Sequence, residues 1–132
     1  MDESDIAACL RLDPRLPEVD HQRVEVLQAL ASEADGDAFI GELFELFCQE
    51  SRAQLGLLQR AAVDNRLVQL SATVHSIGGA AGALGLARLC ATCQALEQYP
   101  SAAGAVALEP CSAALAAAFE QAYQAFRDEL GC

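Results

Sequence analysis

Residues 67–84 read LVQLSATVHSIGGAAGAL, and within them Leu67, Leu70, Val74, Ile77, Ala81 and Leu84 recur at alternating steps of three and four. Those steps gather side chains on one face of an α-helix, so the stretch predicts a helix with its apolar stripe against a core. His75 falls more than about 100° around the helix from the centre of that stripe and is expected to face solvent. Gly79, one turn later, shares its side, while Gly78 and Gly82 occupy the shoulder between the histidine and the core. Each interior glycine costs a helix roughly 1 kcal/mol relative to alanine, so the three together cost around 3 kcal/mol. A helix under purely structural constraint would rarely carry that. Two readings offset the cost: around Gly82, Ala80 and Ala81 a bare backbone lets a neighbouring helix approach closely, and at Gly79 it leaves the imidazole open to something large.

Helical periodicity continues in both directions, and runs of alternating β-branched residues are missing. Val24, Leu27 and Leu30 predict a helix from about Asp20 to Ala34. Asp35-Gly36-Asp37 supplies a turn and an N-cap for a long helix to about Val63, striped by Ile40, Leu43, Phe44, Phe47, Leu55 and Leu58, with Asp64-Asn65 as the break after it. Gly85 ends the helix of His75. Leu86, Leu89, Cys90, Cys93 and Leu96 stripe the next one, which Tyr99-Pro100 stops. After an Ala/Gly-rich loop to about Leu108, a last helix starts near Pro110 and uses Cys111, Leu115, Ala118, Phe119, Ala122, Phe126 and Leu130. The expected fold is all-α, an antiparallel up-down four-helix bundle over residues 19–132. Residues 1–18, with Pro14 and Pro17, are expected to form a linker or a short N-terminal capping helix from about Asp5 to Leu10. Phe39, Phe44, Phe47, Phe119 and Phe126 are expected to fill the core, and Tyr99 to pack near the end of its helix.

At 132 residues and 53% hydrophobic, the chain has room for one domain and enough apolar surface for its core. A net charge of −11 argues against nucleic acid, whose phosphates most of this surface would repel. No apolar run approaches the roughly 18 to 20 residues of a membrane span, and the acidic start, Met1-Asp2-Glu3-Ser4-Asp5, is unlike a secretion signal. The expectation is a cytoplasmic monomer without direct membrane contact. Charge placement says more than charge total. None of the 19 acidic residues lies between Asp64 and Glu97, a window whose ionisable side chains of note are Arg66, His75 and Arg88 and which would tolerate a transient dianion.

Six cysteines, at positions 9, 48, 90, 93, 111 and 132, raise the questions of disulfides and metal. Cys90-x-x-Cys93 has the spacing of a redox or zinc half-site, but both thiols fall on an apolar stripe and no second metal pair accompanies them. They read as small buried hydrophobes, with a cysteine-based metal or redox sensor as the weaker alternative.

Imidazole is an adequate nucleophile near neutral pH, and a phosphoramidate formed on it is labile enough to pass its phosphoryl group onward. His21, among Asp20, Gln22 and Arg23 at a helix start, reads instead as solvated surface. The pattern His75-x-x-x-Gly79-x-Ala81-x-x-Leu84-Gly85-x-x-x-Leu89-x-x-x-Cys93-x-x-Leu96-Glu97 resembles the signature of histidine-containing phosphotransfer (HPt) domains of multistep two-component phosphorelays. Upstream, Gly36-Asp37-x-Phe39-x-x-Glu42-Leu43-x-x-x-Phe47 resembles the helix that precedes the phosphorylated one.

The resemblance implies that His75 accepts a phosphoryl group from a receiver-domain aspartate and donates it to another, without autokinase activity. It implies no cofactor in this chain, magnesium being carried by the receiver. It also implies a setting: the C-terminal module of a hybrid sensor histidine kinase, at the cytoplasmic end of a membrane-bound sensor, or else a separate small carrier. Where the family usually has lysine or arginine, three residues after the histidine, this chain has Gly78. Phosphoryl stabilisation would then be weaker, or come from the receiver's own lysine and magnesium, or from Arg88 or Arg66. Glu97 sits where family members approach the histidine from the next helix, as an acceptor for Nδ1–H that leaves Nε2 nucleophilic, or as a plain surface glutamate. The alternative function is an HPt-like interaction domain that binds a receiver or kinase without transferring phosphate.

Overall fold

The stretch around His75 forms one α-helix, Val63–Leu84. It belongs to a computed structural model that describes the backbone of residues 12–30, 36–60, 63–97 and 108–131 and the side chains of 12–30, 38–60, 68–97 and 110–131. In chain order the helices are α1 His21–Leu30, α2 Gly36–Arg60, α3 Val63–Leu84, α4 Ala87–Glu97 and α5 Leu108–Leu130, with no strand among the described residues. Helices α2 to α5 form the antiparallel bundle, each packed on its chain neighbour and α5 closing back onto α2, while α1 packs against α2 and α3. None of the described helices is long and apolar enough to cross a membrane.

Two kinds of packing hold the bundle. Between α2 and α5 the contacts are aromatic: Phe44 lies 4.5 Å from Phe126 and Phe47 lies 5.9 Å from Phe119, centroid to centroid. Burying each such ring contributes about 1.5–3 kcal/mol. Between α3 and α4, the pair in most extensive contact, the facing residues are small, with Gly78 and Gly82 opposite Cys93 and Cys90. The predicted stripe of α3 is buried at Leu70, Val74, Ile77, Ala81 and Leu84.

The α3–α4 turn is set by Gly85, whose φ of 84° is left-handed. Leu86 N–H donates to Ala81 O at 2.8 Å and Gly85 N–H to Gly82 O at 3.3 Å, which satisfies the last carbonyls of α3 in a Schellman motif. At the same end α1 is capped by Asp20, whose Oδ1 accepts from the N–H groups of Gln22 and Arg23 at 3.1 and 3.3 Å. Asp20 N–H donates to Gly85 O at 2.7 Å and Arg23 Nε to Ala83 O at 2.9 Å, so the start of α1 is fastened to the α3–α4 turn.

Several expectations are corrected. Phe39 is 41% exposed, because the buried stripe of α2 runs through Ile40, Phe44, Phe47, Ser51, Leu55 and Leu58, and Phe39 precedes it by one residue, or about 100°. Leu30 is 75% exposed: Val24 and Leu27 supply the buried contacts of α1, and its last residue projects past them. Asp64 and Asn65 do not break the chain. They lie in the first turn of α3, and α2 ends before them at Arg60. Helix α2 already includes Gly36 and Asp37, so the turn and cap expected at Asp35-Gly36-Asp37 fall earlier than Asp37, and Asp35 lies outside the described residues, as do the capping helix expected at Asp5–Leu10, the Tyr99-Pro100 stop and the loop before Leu108.

Candidate functional site

His75 projects from the middle of α3, its side chain 86% exposed, with Nδ1 3.1 Å from Glu97 Oε1 at the far end of α4. An ionised carboxylate only accepts, so for a neutral ring this contact suits the tautomer that carries Nδ1–H and keeps its lone pair on Nε2. The acid-free window of the sequence and this acidic partner are compatible. Glu97 meets the edge of the ring at Nδ1, while Val68, Ala72, Gly79 and Ala83, in line with His75 along α3, are all exposed and uncharged.

A Cβ at Gly79 would meet nothing within 4 Å, so the turn after the histidine is open. Gly78 differs. A Cβ there would lie 2.8 Å from Cβ of Cys93, so this position is packed against α4 and has no space for the side chain of a cation. At Gly82 a Cβ would come 3.2 Å from Cys90 Sγ, which makes it too a place of close helix approach. The structure thus separates the three glycines, one opening the histidine and two admitting α4.

Arg88 is not brought to His75. Its guanidinium donates to the carbonyls of Asp13 and Leu16 at 3.1 and 3.2 Å and lies 3.9 Å from Glu18, whose carboxyl is pushed up by burial against the opposing pull of Arg88. It stands near the start of α4, nine residues before Glu97 and thus about 14 Å away along the helix. Its work is to fasten the segment before α1. The side chain of Arg66 lies outside the described residues.

Two neighbours escaped the sequence reading. Gln54 on α2 donates through Nε2 to Ser76 Oγ at 2.9 Å, next to the histidine, and its Oε1 is buried without a hydrogen-bond partner among the described residues. Cys93 was visible as part of an apolar stripe, of the Cys-x-x-Cys spacing and of the family pattern, but not as the residue whose backbone-fixed Cβ faces Gly78. Neither signal exists before the helices are paired in space.

Burial pushes Cys93 up to about 12 and Cys48 to about 11, so both stay protonated. Cys90 is partly buried, and among the described residues no group of three or more His, Cys, Asp or Glu side chains is placed to hold a metal ion. His21, expected as plain surface, has a partner: its Nδ1 lies 2.7 Å from Glu129 Oε1.

Comparison with known proteins agrees with this geometry. The family model described as Hpt domain matches residues 42–129, which is 88 of the 132 residues and runs from α2 to the end of α5. No curated protein and no solved structure matches the chain. With an all-helical bundle, an exposed histidine on its central helix and a family match over two thirds of its length, the chain belongs to the Hpt domain family, the phosphotransfer modules of two-component signalling that work with receiver domains.

Proposed function

We propose that His75 is the phosphoryl carrier of this domain. The lone pair of Nε2 attacks the phosphorus of a receiver's aspartyl phosphate, a P–N bond forms as the P–O bond breaks, and the aspartate leaves as a carboxylate. The reverse exchange delivers the group to the aspartate of a second receiver. Phosphorylation of the neutral ring at Nε2 gives it a positive charge, and Glu97, accepting Nδ1–H, balances that charge and holds the tautomer. The observation that carries this reading is the 3.1 Å contact between Nδ1 and Glu97 on a histidine that is otherwise 86% exposed.

Gly79 and the small residues in line with it leave room for the receiver to bring its phosphoryl group to the ring, and the receiver supplies magnesium and its own lysine. The partners are the receiver of a hybrid sensor kinase, with this domain as its C-terminal cytoplasmic module, and a response regulator. Binding without transfer is the second reading. It is favoured by Gly78, which is packed against Cys93 and offers no cation to the phosphoryl group. Mixing the chain with a labelled, phosphorylated receiver distinguishes the two: transfer gives an acid-labile label on the wild type and none on His75→Gln, whereas binding alone labels neither.

A further inference from the structure

Three contacts hold α3 and α4 in register, each about one helical turn from the next: His75 with Glu97, Gly78 with Cys93, and Gly82 with Cys90. The middle contact is the tightest. A Cβ on Gly78 would lie 2.8 Å from Cβ of Cys93, an atom fixed to the backbone that no side-chain rotation can move aside. Relief requires one helix to shift against the other. At Gly82 the added atom would meet Cys90 Sγ at 3.2 Å, the free end of a side chain, and at Gly79 it would meet nothing.

We infer that the Gly78–Cys93 contact is a spacer that sets the reach of Glu97 to His75, so that Gly78 and Cys93 are positioning residues for phosphoryl transfer. Its functional consequence rests on the phosphocarrier reading, while the geometry does not. Widening the contact from 2.8 Å to the 3.4 Å of ordinary packing takes about 0.6 Å. Carried rigidly to the neighbouring rung, that shift opens the His75–Glu97 distance from 3.1 Å to about 3.7 Å, outside hydrogen-bonding range. The carboxylate then no longer selects Nδ1–H, the proton distributes over both ring nitrogens, and fewer molecules present a lone pair at Nε2. A methyl group on the buried side of α3 would in this way act on the exposed nucleophile.

The test compares Gly78→Ala with Gly82→Ala, which makes the same substitution against a movable thiol, and with the double variant Gly78→Ala/Cys93→Gly, which removes the opposing Cβ. Two quantities are read: the ¹⁵N shifts of the His75 ring, which report the tautomer, and the rate of phosphoryl uptake from a phosphorylated receiver. Gly78→Ala is expected to move His75 from Nδ1–H to a mixture of tautomers and to slow uptake by about 10- to 100-fold, in the range seen for small misplacements of a reacting group. Gly82→Ala is expected to change neither, and the double variant to restore both. An unchanged tautomer in Gly78→Ala, or a double variant that fails to restore it, overturns the inference. If Gly78→Ala does not fold, Cys93→Val loads the same contact from the other helix, and an unchanged tautomer there overturns it equally. Should wild-type His75 take up no phosphoryl group, the phosphocarrier reading fails, while the ring nitrogens still decide whether the spacer exists.

Discussion

At the scale of residues, the site turns on what is missing from Gly79 and Gly78. Both are interior helix glycines, yet the first faces open space and the second faces Cys93. Replacing Gly79 with alanine or glutamine should raise the unfolding free energy, by about 1 kcal/mol for alanine, because no neighbour resists the new side chain. The longer glutamine should at the same time slow transfer from a phosphorylated receiver, by crowding the approach to His75. Urea unfolding and a transfer assay on the same samples check the pair of effects, and a glutamine variant that transfers at the wild-type rate would show that access does not depend on this glycine. The sequence distinguished Gly79 by its register with His75. It could not distinguish Gly78 from Gly82, because the atoms that separate them, Cβ of Cys93 and Sγ of Cys90, belong to another helix. The alternative offered by Arg88 could not be weighed from the sequence for a similar reason: its charge is visible there, whereas the carbonyls of Asp13 and Leu16 that accept from it lie more than 70 residues earlier.

At the scale of elements, two features fix how α1, α3, α4 and α5 meet at one end of the bundle. Gly85 turns the chain with a left-handed φ of 84°, and a Cβ there would come 3.0 Å from Cβ of Arg23 and 3.2 Å from the Asp20 carbonyl. Gly85→Ala is therefore expected to destabilise the domain by about 1–2 kcal/mol through backbone conformation, with crowding against α1 added to that. Equilibrium denaturation measures the change. The second feature is the pairing of His21 on α1 with Glu129 on α5, whose hydrogen bond and charge raise the pKa of His21 against the opposing effect of desolvation, with smaller help from Asp20 and Glu25. A value raised on folding means that the folded state holds the proton more tightly. The contribution is fully present below the unfolded value and is lost as pH rises through the folded one. The difference in urea midpoint between wild type and His21→Gln should therefore be larger at about pH 6 than at about pH 9, most clearly at low salt because the pair is exposed. Equal differences at both values would contradict the pairing. The helices themselves were legible from the spacing of Leu70, Val74, Ile77, Ala81 and Leu84, since burial on one face imposes that period. The His21–Glu129 contact was not, because it joins residues 108 apart and depends on how the first and last helices cross.

At the scale of the whole molecule, the bundle divides its work. Aromatic rings between α2 and α5 supply bulk and burial, and small residues between α3 and α4 let two helices come close enough for a carboxylate at the end of one to reach a histidine in the middle of the other. Where the sequence reading placed Phe39 inside, the fold leaves it at the surface, because it lies about 100° around α2 from the stripe that starts at Ile40. The histidine was legible because its exposure follows from the same periodicity that buries its neighbours, and the pattern from His75 to Glu97 that carried the resemblance to phosphotransfer domains lies within the family match, whereas Gly36, Asp37 and Phe39 of the upstream pattern precede it. The central claim concerns one atom, Nε2 of His75. Its most direct test is a phosphorus–nitrogen NMR correlation on ¹⁵N-labelled chain after phosphorylation by a phosphorylated receiver. A phosphorus signal coupled to Nε2 of His75, with Nδ1 still carrying its proton, is the predicted result. Phosphorus on Nδ1, on His21 or on no histidine would contradict it.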